Sequence, residues 1–132
     1  TRRLGLAAVA LATLIASAGA QAYPEKPVQM IIPFDAGGNT DLMARALQED
    51  MGKALGQAIV PVNKPGASAT LGTGELARAK PDGYTIGMMP IGPLALQPNM
   101  RKLPYSTETF DYICQTYDVP MFLMVPQDSR FK

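Results

Sequence analysis

The chain has 132 residues, 47% hydrophobic and 17% charged, a make-up that suits one globular domain with a modest core. Its net charge of +1 excludes the strongly basic face that phosphate-dominated nucleic-acid binding requires. With no histidine and one cysteine, Ser-His-Asp and Cys-His catalysis, histidine metal sites and an internal disulfide cannot be built from these residues.

Arg2 and Arg3 lead into an uncharged run from Leu4 that ends in Ala20-Gln21-Ala22, a small-residue exit of the A-x-A type. Basic start, apolar middle and small-residue exit are the three parts of a secretory signal peptide. The run is nearly long enough for a membrane anchor. It is rich in Ala and Gly, however, and continues as Tyr23-Pro24-Glu25-Lys26-Pro27 rather than as a stop-transfer pattern. Residues 1–22 are therefore expected to be a signal peptide cleaved after Ala22, which places residues 23–132 in the periplasm. Loss of Arg2 and Arg3 turns twelve basic residues against eleven acidic into ten against eleven, a net charge of −1.

Val28 to Phe34 is a short β-branched run, the pattern of a buried strand. Asp35-Ala36-Gly37-Gly38-Asn39 breaks it. From Thr40 the period changes: Leu42, Met43, Ala46, Leu47, Met51, Ala54 and Leu55 recur at three- and four-residue steps and mark one apolar helical stripe. Asn39 or Thr40 is placed to cap this helix and Gly56 to end it.

The unit then repeats. Ala58 to Val62 reads as a second strand, with Pro61 either arguing against a strand there or placing it at an edge. A loop, Asn63 to Ser68, leads to a short helix from Thr70 to Ala79. Lys80-Pro81-Asp82-Gly83 is a turn, and Tyr84 to Met89 a third strand. Strand and helix in alternation predict an α/β fold: a mostly parallel sheet flanked by helices. Pro90 to Asn99 reads as a loop with a helical turn. Phe110–Tyr117 and Met121–Val125 read as two further strands, with Cys114 buried in the first as a small hydrophobe. The eight methionines are scattered and read as core filler.

The chemistry concentrates at Pro33 to Asp41, where a strand ends and a helix begins. Ligands of open parallel sheets bind beyond the carboxyl ends of the strands. The first helical turn points unpaired N–H groups outward, and its dipole favours an anion there. Gly37 and Gly38 remove the side chains that would hold a ligand's oxygens away, and Asn39 and Thr40 add donors. The same residues also fit a tight turn with Asn39 as a cap. The spacings G-x-x-x-x-G-K-[ST] and G-x-G-x-x-G are both absent, which argues against phosphate-loop and dinucleotide sites. A second loop, Pro65 to Gly72, reaches the same sheet edge. There Ser68 and Thr70 are placed either to donate to a ligand or to cap the helix.

Five motifs in this order carry a resemblance: Tyr23-Pro24-x-Lys26-Pro27, Pro33-Phe34-x-Ala36-Gly37-Gly38-x-Thr40-Asp41, Asn63-x-Pro65-Gly66-Ala67, Pro81-Asp82-Gly83-Tyr84-Thr85, and Leu103-Pro104-Tyr105 followed by Phe110. Together they resemble the substrate-binding receptors of tripartite tricarboxylate transporters, the Bug-type receptors. The resemblance implies a two-lobed periplasmic-binding-protein fold, of which residues 23–132 are an incomplete amino-terminal lobe with the second lobe missing. It implies a monomeric receptor without cofactor or catalytic role, which delivers a di- or tricarboxylate or an amino acid to integral membrane transporter subunits. The ligand contacts it implies are Phe34, Ala36, Gly37, Gly38, Asn39 and Asp41, together with Ser68 and Thr70; Asp35 and Thr40, on the same turn, are candidate contacts from their position alone. Two departures bear on the ligand. Asp35 stands where a small neutral residue is usual, and Pro90-Ile91-Gly92-Pro93 replaces a loop that often carries hydroxyls. Two other readings are a ligand sensor docked to a membrane signalling partner, and a secreted hydrolase using Asp35 and Asp41 as an acid/base pair.

Overall fold

The computed structural model describes residues 23–120 and 122–130, so the expected signal peptide, residues 1–22, lies outside the described residues. Three parallel strands form the sheet: β1 (Val28–Ile32), β2 (Ile59–Asn63) and β3 (Thr85–Gly87), in the order β2-β1-β3. Val28 stands opposite Ile59 and Ile32 opposite Asn63 on one side of β1, while Gln29 pairs with Thr85 and Ile31 with Gly87 on the other. Of the two outcomes that Pro61 allows, β2 is an edge strand, where the missing N–H costs no ladder bond on the outer side.

Helix α1 (Asn39–Leu55) connects β1 to β2, and α2 (Thr70–Ala77) connects β2 to β3. Because β2 and β3 flank β1, the winding reverses at β1, and its carboxyl end is the switch point at which α/β folds open a crevice. Val28, Met30 and Ile32 meet Ala44 of α1, with Leu47 and Met51 packed beside them. Ile31, by strand alternation, faces the opposite side and is also buried. Each of these aliphatic side chains contributes roughly 1.5–3 kcal/mol by leaving water.

The buried face of α1 follows the expected stripe only in part: Leu47 and Met51 pack on the core. Thr40, Asp41 and Ala44 are buried, whereas Leu42 is 59% exposed and Leu55 is exposed as well. Hydrogen bonds from Asp41 toward the end of β2 set the rotation of the helix, and they outweigh the choice of the most apolar face. Gly56 ends α1 in the left-handed conformation at φ 72°, as expected, but no side chain caps its start.

The remaining motif residues are structural ties. Tyr23 donates its hydroxyl to the Gly83 carbonyl at 2.7 Å, Tyr84 accepts from the Glu25 amide at 3.0 Å, and the Lys26 ammonium lies 4.4 Å over the Tyr84 ring. A π-helical turn (Gly92–Leu96) runs into α3 (Gln97–Met100). Buried Tyr105 donates to the Pro93 carbonyl at 2.9 Å and meets Phe110 edge-on; burial raises its phenol above the ordinary value.

The two last expected strands do not form. Residues 110–120 and 122–125 carry no regular structure, and Met121 lies outside the described residues. An apolar run becomes a strand only when another backbone satisfies its N–H and C=O groups, and no described segment pairs its backbone with these in a ladder. Cys114 is consequently exposed rather than buried. Tyr117 alone returns to the core, against the face that α1 covers.

Candidate functional site

Three loops leave the carboxyl edge of the sheet, and the first follows the central strand. Phe34, Asp35, Ala36, Gly37 and Asn39 are exposed, so the turn forms an open strip at the switch point. Gly37 requires φ 83°, which a side chain would strain, and an added Cβ there would meet nothing within 4 Å. Gly38 is extended at φ −74°, ψ 167°. The helical ladder opens with the Leu42 amide donating to the Gly38 carbonyl at 2.9 Å. The N–H groups of residues 39–41 therefore precede the first intrahelical bond, with the positive end of the α1 dipole behind them.

One expectation needs correction. The Gly37 amide does not face outward: it donates to Asp41 Oδ2 at 2.8 Å, and the Gly38 amide leans on the Asp35 carbonyl at 3.4 Å. Of the amides of residues 37–39, which were expected to be bare, those of Gly37 and Gly38 are thus taken by the protein itself, and the N–H groups left ahead of the helical ladder are those of residues 39–41.

Asp41 is the second correction. Read from the sequence as a ligand contact, it is 2% exposed and spent on the protein itself. Its Oδ2 accepts from Arg45 Nε at 2.9 Å and from Gly37, and its Oδ1 accepts from Asn63 Nδ2 at 3.0 Å. Asn63 also donates to the Phe34 carbonyl at 3.0 Å and accepts from Arg45 Nη2 at 3.2 Å. This network ties the glycine turn, the first turns of α1 and the end of β2 into one body. Arg45, the Gly37 amide and Asn63, in that order, hold the Asp41 carboxyl well below the usual carboxylate range. The same ion pair raises the Arg45 guanidinium. It also neutralises a negative charge that would otherwise repel an anion at this edge. Asn63 and Arg45 escaped the sequence reading. Their signal was the i, i+4 spacing of Asp41 and Arg45, and the position of Asn63 at a strand end.

Thr40 is buried, with its hydroxyl 3.4 Å from that of Tyr117, so it faces the core rather than the opening. Thr70 is buried as well. It donates its hydroxyl to the Ala67 carbonyl at 2.8 Å and closes the second loop instead of offering a donor to solvent. Ser68, by contrast, is exposed, and among the described residues its hydroxyl has no partner. It sits in an unusual backbone: Ala67, Ser68 and Ala69 hold φ 49°, 57° and 69° in succession. Left-handed geometry crowds each Cβ against its carbonyl at roughly 1–2 kcal/mol per residue. Such strain gathers at functional sites, where the surrounding structure holds it in place. The third loop, after β3, presents Pro90 to Pro93 and no hydroxyl.

The carboxyl edge thus brings together the exposed strip 34–39, the first turn of α1 and Ser68, with Thr40, Asp41 and Thr70 beneath as supports. Two shallow hollows, of about 530 Å³ beside Gln48, Gly52 and Ala58 and about 370 Å³ beside Gln29, Lys80 and Thr85, lie at the opposite, amino edge. Among the described residues no group of three or more His, Cys, Asp or Glu is placed to hold a metal, and no helix is long and apolar enough to cross a membrane.

A parallel sheet wound in both directions from its central strand, with a glycine turn at the switch point, is the architecture of one lobe of a periplasmic-binding-protein fold. The sequence places it within that class: residues 43–132 match the tripartite tricarboxylate transporter family receptor, and the chain belongs to that family. A UPF0065 protein of Bordetella bronchiseptica is 42% identical over 99% of this chain and 40% of its own length. The protein BugT of Bordetella pertussis is 37% identical over 94% of this chain and 40% of its own. The chain therefore spans about two fifths of the curated relatives it matches. Among solved structures, a TctC solute-binding protein from Polaromonas superposes with a TM-score of 0.60 at 37% identity, covering 65% of this chain and 30% of that one. A structure described as a periplasmic transporter gives 0.61 at 42% identity, over 64% of this chain and 29% of that one.

Proposed function

We propose that residues 23–132 are the amino-terminal lobe of a periplasmic receptor that captures a small carboxylate and presents it to integral membrane transporter subunits, without a catalytic role. Residues 1–22 are its signal peptide, cleaved after Ala22. The observation that carries this reading is the first turn of α1, which opens on an exposed glycine turn at the carboxyl end of the central strand. There the N–H groups of residues 39–41 and the helix dipole favour one carboxylate group, and Ser68 supplies a hydroxyl from the neighbouring loop. Membership of a receptor family supports the class of function. The fold supports the location of the site. That the family consists of tricarboxylate transporter receptors supports carboxylates as the guest, although the chain alone holds only one wall of a cleft.

A single lobe binds weakly, so the test is an NMR titration of this chain with malonate, succinate, L-malate and citrate in turn, against sodium chloride at matched ionic strength. The expected result is a saturable change in the amide shifts of residues 36–41 and 66–69 with at least one carboxylate. Shifts absent there, or equal to those with chloride, would overturn the reading. Secretion of the 132-residue chain from a bacterial host, followed by mass determination, checks processing: the expected mature product starts at Tyr23.

A further inference from the structure

Ala67, Ser68 and Ala69 are held left-handed; Ala69 is buried and anchored by Thr73, which donates to its carbonyl from its hydroxyl at 2.9 Å, whereas Ala67 and Ser68 are exposed. Thr70 donates to the Ala67 carbonyl from both its amide, at 3.3 Å, and its hydroxyl, at 2.8 Å, and the Leu71 amide reaches Gly66 at 3.4 Å. All three donors sit on Thr70 and Leu71 at the start of α2, so they hold the turn only from its carboxyl side. Another donor comes from far along the chain. Arg101 Nη2 donates to the same Ala67 carbonyl at 2.6 Å and lies 3.3 Å from Thr70 Oγ1. Its own backbone is held at the end of α3, where the Arg101 amide donates to the Gln97 carbonyl at 3.1 Å. A cationic donor on a neutral carbonyl forms one of the stronger hydrogen bonds.

We propose that Arg101 is a positioning residue of the ligand site: its guanidinium clamps the left-handed turn at Ala67–Ala69 to the body of the lobe, so that Ser68 stands ready at the carboxyl edge. This rests on the reading of that edge as a carboxylate site. Arg101 acts through the loop and does not itself touch the guest. Sequence reasoning passes it over because it lies in a polar stretch, 31 residues beyond Thr70, with no motif around it.

The test compares the wild-type chain with Arg101→Met, which keeps the apolar stem and removes the donors, and Arg101→Lys, which restores a cationic donor. The first arm uses no ligand. Wild type should show strong intraresidue HN–Hα cross-peaks at Ala67, Ser68 and Ala69, the mark of positive φ. Arg101→Met should lose them and speed amide exchange at Thr70 and Leu71 about tenfold, leaving the β1 amides unchanged. Arg101→Lys should recover most of both signals. If Arg101→Met keeps the left-handed cross-peaks and exchanges within about twofold of wild type, the proposal is overturned. The second arm adds L-malate. Loss of binding in Arg101→Met with the loop signals intact would make Arg101 a direct contact and overturn the positioning role. Absence of malate shifts in the wild type would count against the receptor reading, and the exchange comparison would then decide by itself whether Arg101 holds the turn.

Discussion

Gly72 is where helix α2 comes closest to the loops that build the candidate site, and replacing it with alanine tests the packing argument directly. A Cβ on Gly72 would lie 2.7 Å from the Lys64 carbonyl oxygen, 3.0 Å from Lys64 Cβ and 3.1 Å from Pro33 Cα. Two of these atoms are backbone, and both follow strand ends, so no rotamer change relieves the clash. Helix α2 must move outward by about 0.7 Å to reach ordinary contact. Overpacking of this kind costs about 1–3 kcal/mol. Helix propensity returns about 0.5–1 kcal/mol of this, and at about 4 °C per kcal/mol the expected net change is a lower Tm, by up to about 10 °C. Gly74, two residues along the same helix, is the control. Its Cβ would meet nothing nearer than 3.4 Å, and the alanine gains about 0.5–1 kcal/mol of helix propensity. Thermal unfolding followed by circular dichroism should therefore move in opposite directions for Gly72→Ala and Gly74→Ala. A Gly72→Ala variant as stable as wild type would refute the claim that α2 is wedged against the site loops.

Three further outcomes follow from the same coordinates. Asp41 has a depressed folded-state value against 3.8 when unfolded, so its contribution is present above that pH and lost as the pH falls below it. Asp41→Asn should be less stable than wild type near neutrality, and the difference in Tm should shrink between about pH 5 and pH 2; a difference independent of pH would mean that the carboxylate is not paired as described. Ile32→Ala, at a fully buried position, should cost about 2–5 kcal/mol in urea unfolding. Gly38→Val should fold almost as stably as wild type, because its extended backbone suits a β-branched residue and only the Asp35 carbonyl lies at 3.4 Å. It should nevertheless lose the L-malate shifts at residues 36–41, and their retention would move the anion site away from this turn.

The sequence by itself determined the elements that depend on neighbours in the chain. The switch from β-branched Val28–Ile32 to three- and four-residue spacing after Thr40 marked β1, α1 and the glycine turn between them, and the same alternation marked β2, α2 and β3. Pro61 limited any strand there to an edge because its missing N–H is a local property. The place of the glycine turn was legible for the same reason, since a turn between a strand and a helix in a parallel sheet has only one edge on which to lie.

Only the tertiary structure decided how side chains were spent. Asp41 looks like any first-turn carboxylate until Arg45 and Asn63 close on it, and Thr70 like an open donor until the Ala67 carbonyl takes its hydroxyl. The rotation of α1, the bracing by Arg101 and the lack of pairing around exposed Cys114 likewise depend on groups that meet across many residues. A periodic pattern reports which residues share a face. It does not report which donor will find which acceptor, because that requires the fold to bring them within about 3 Å.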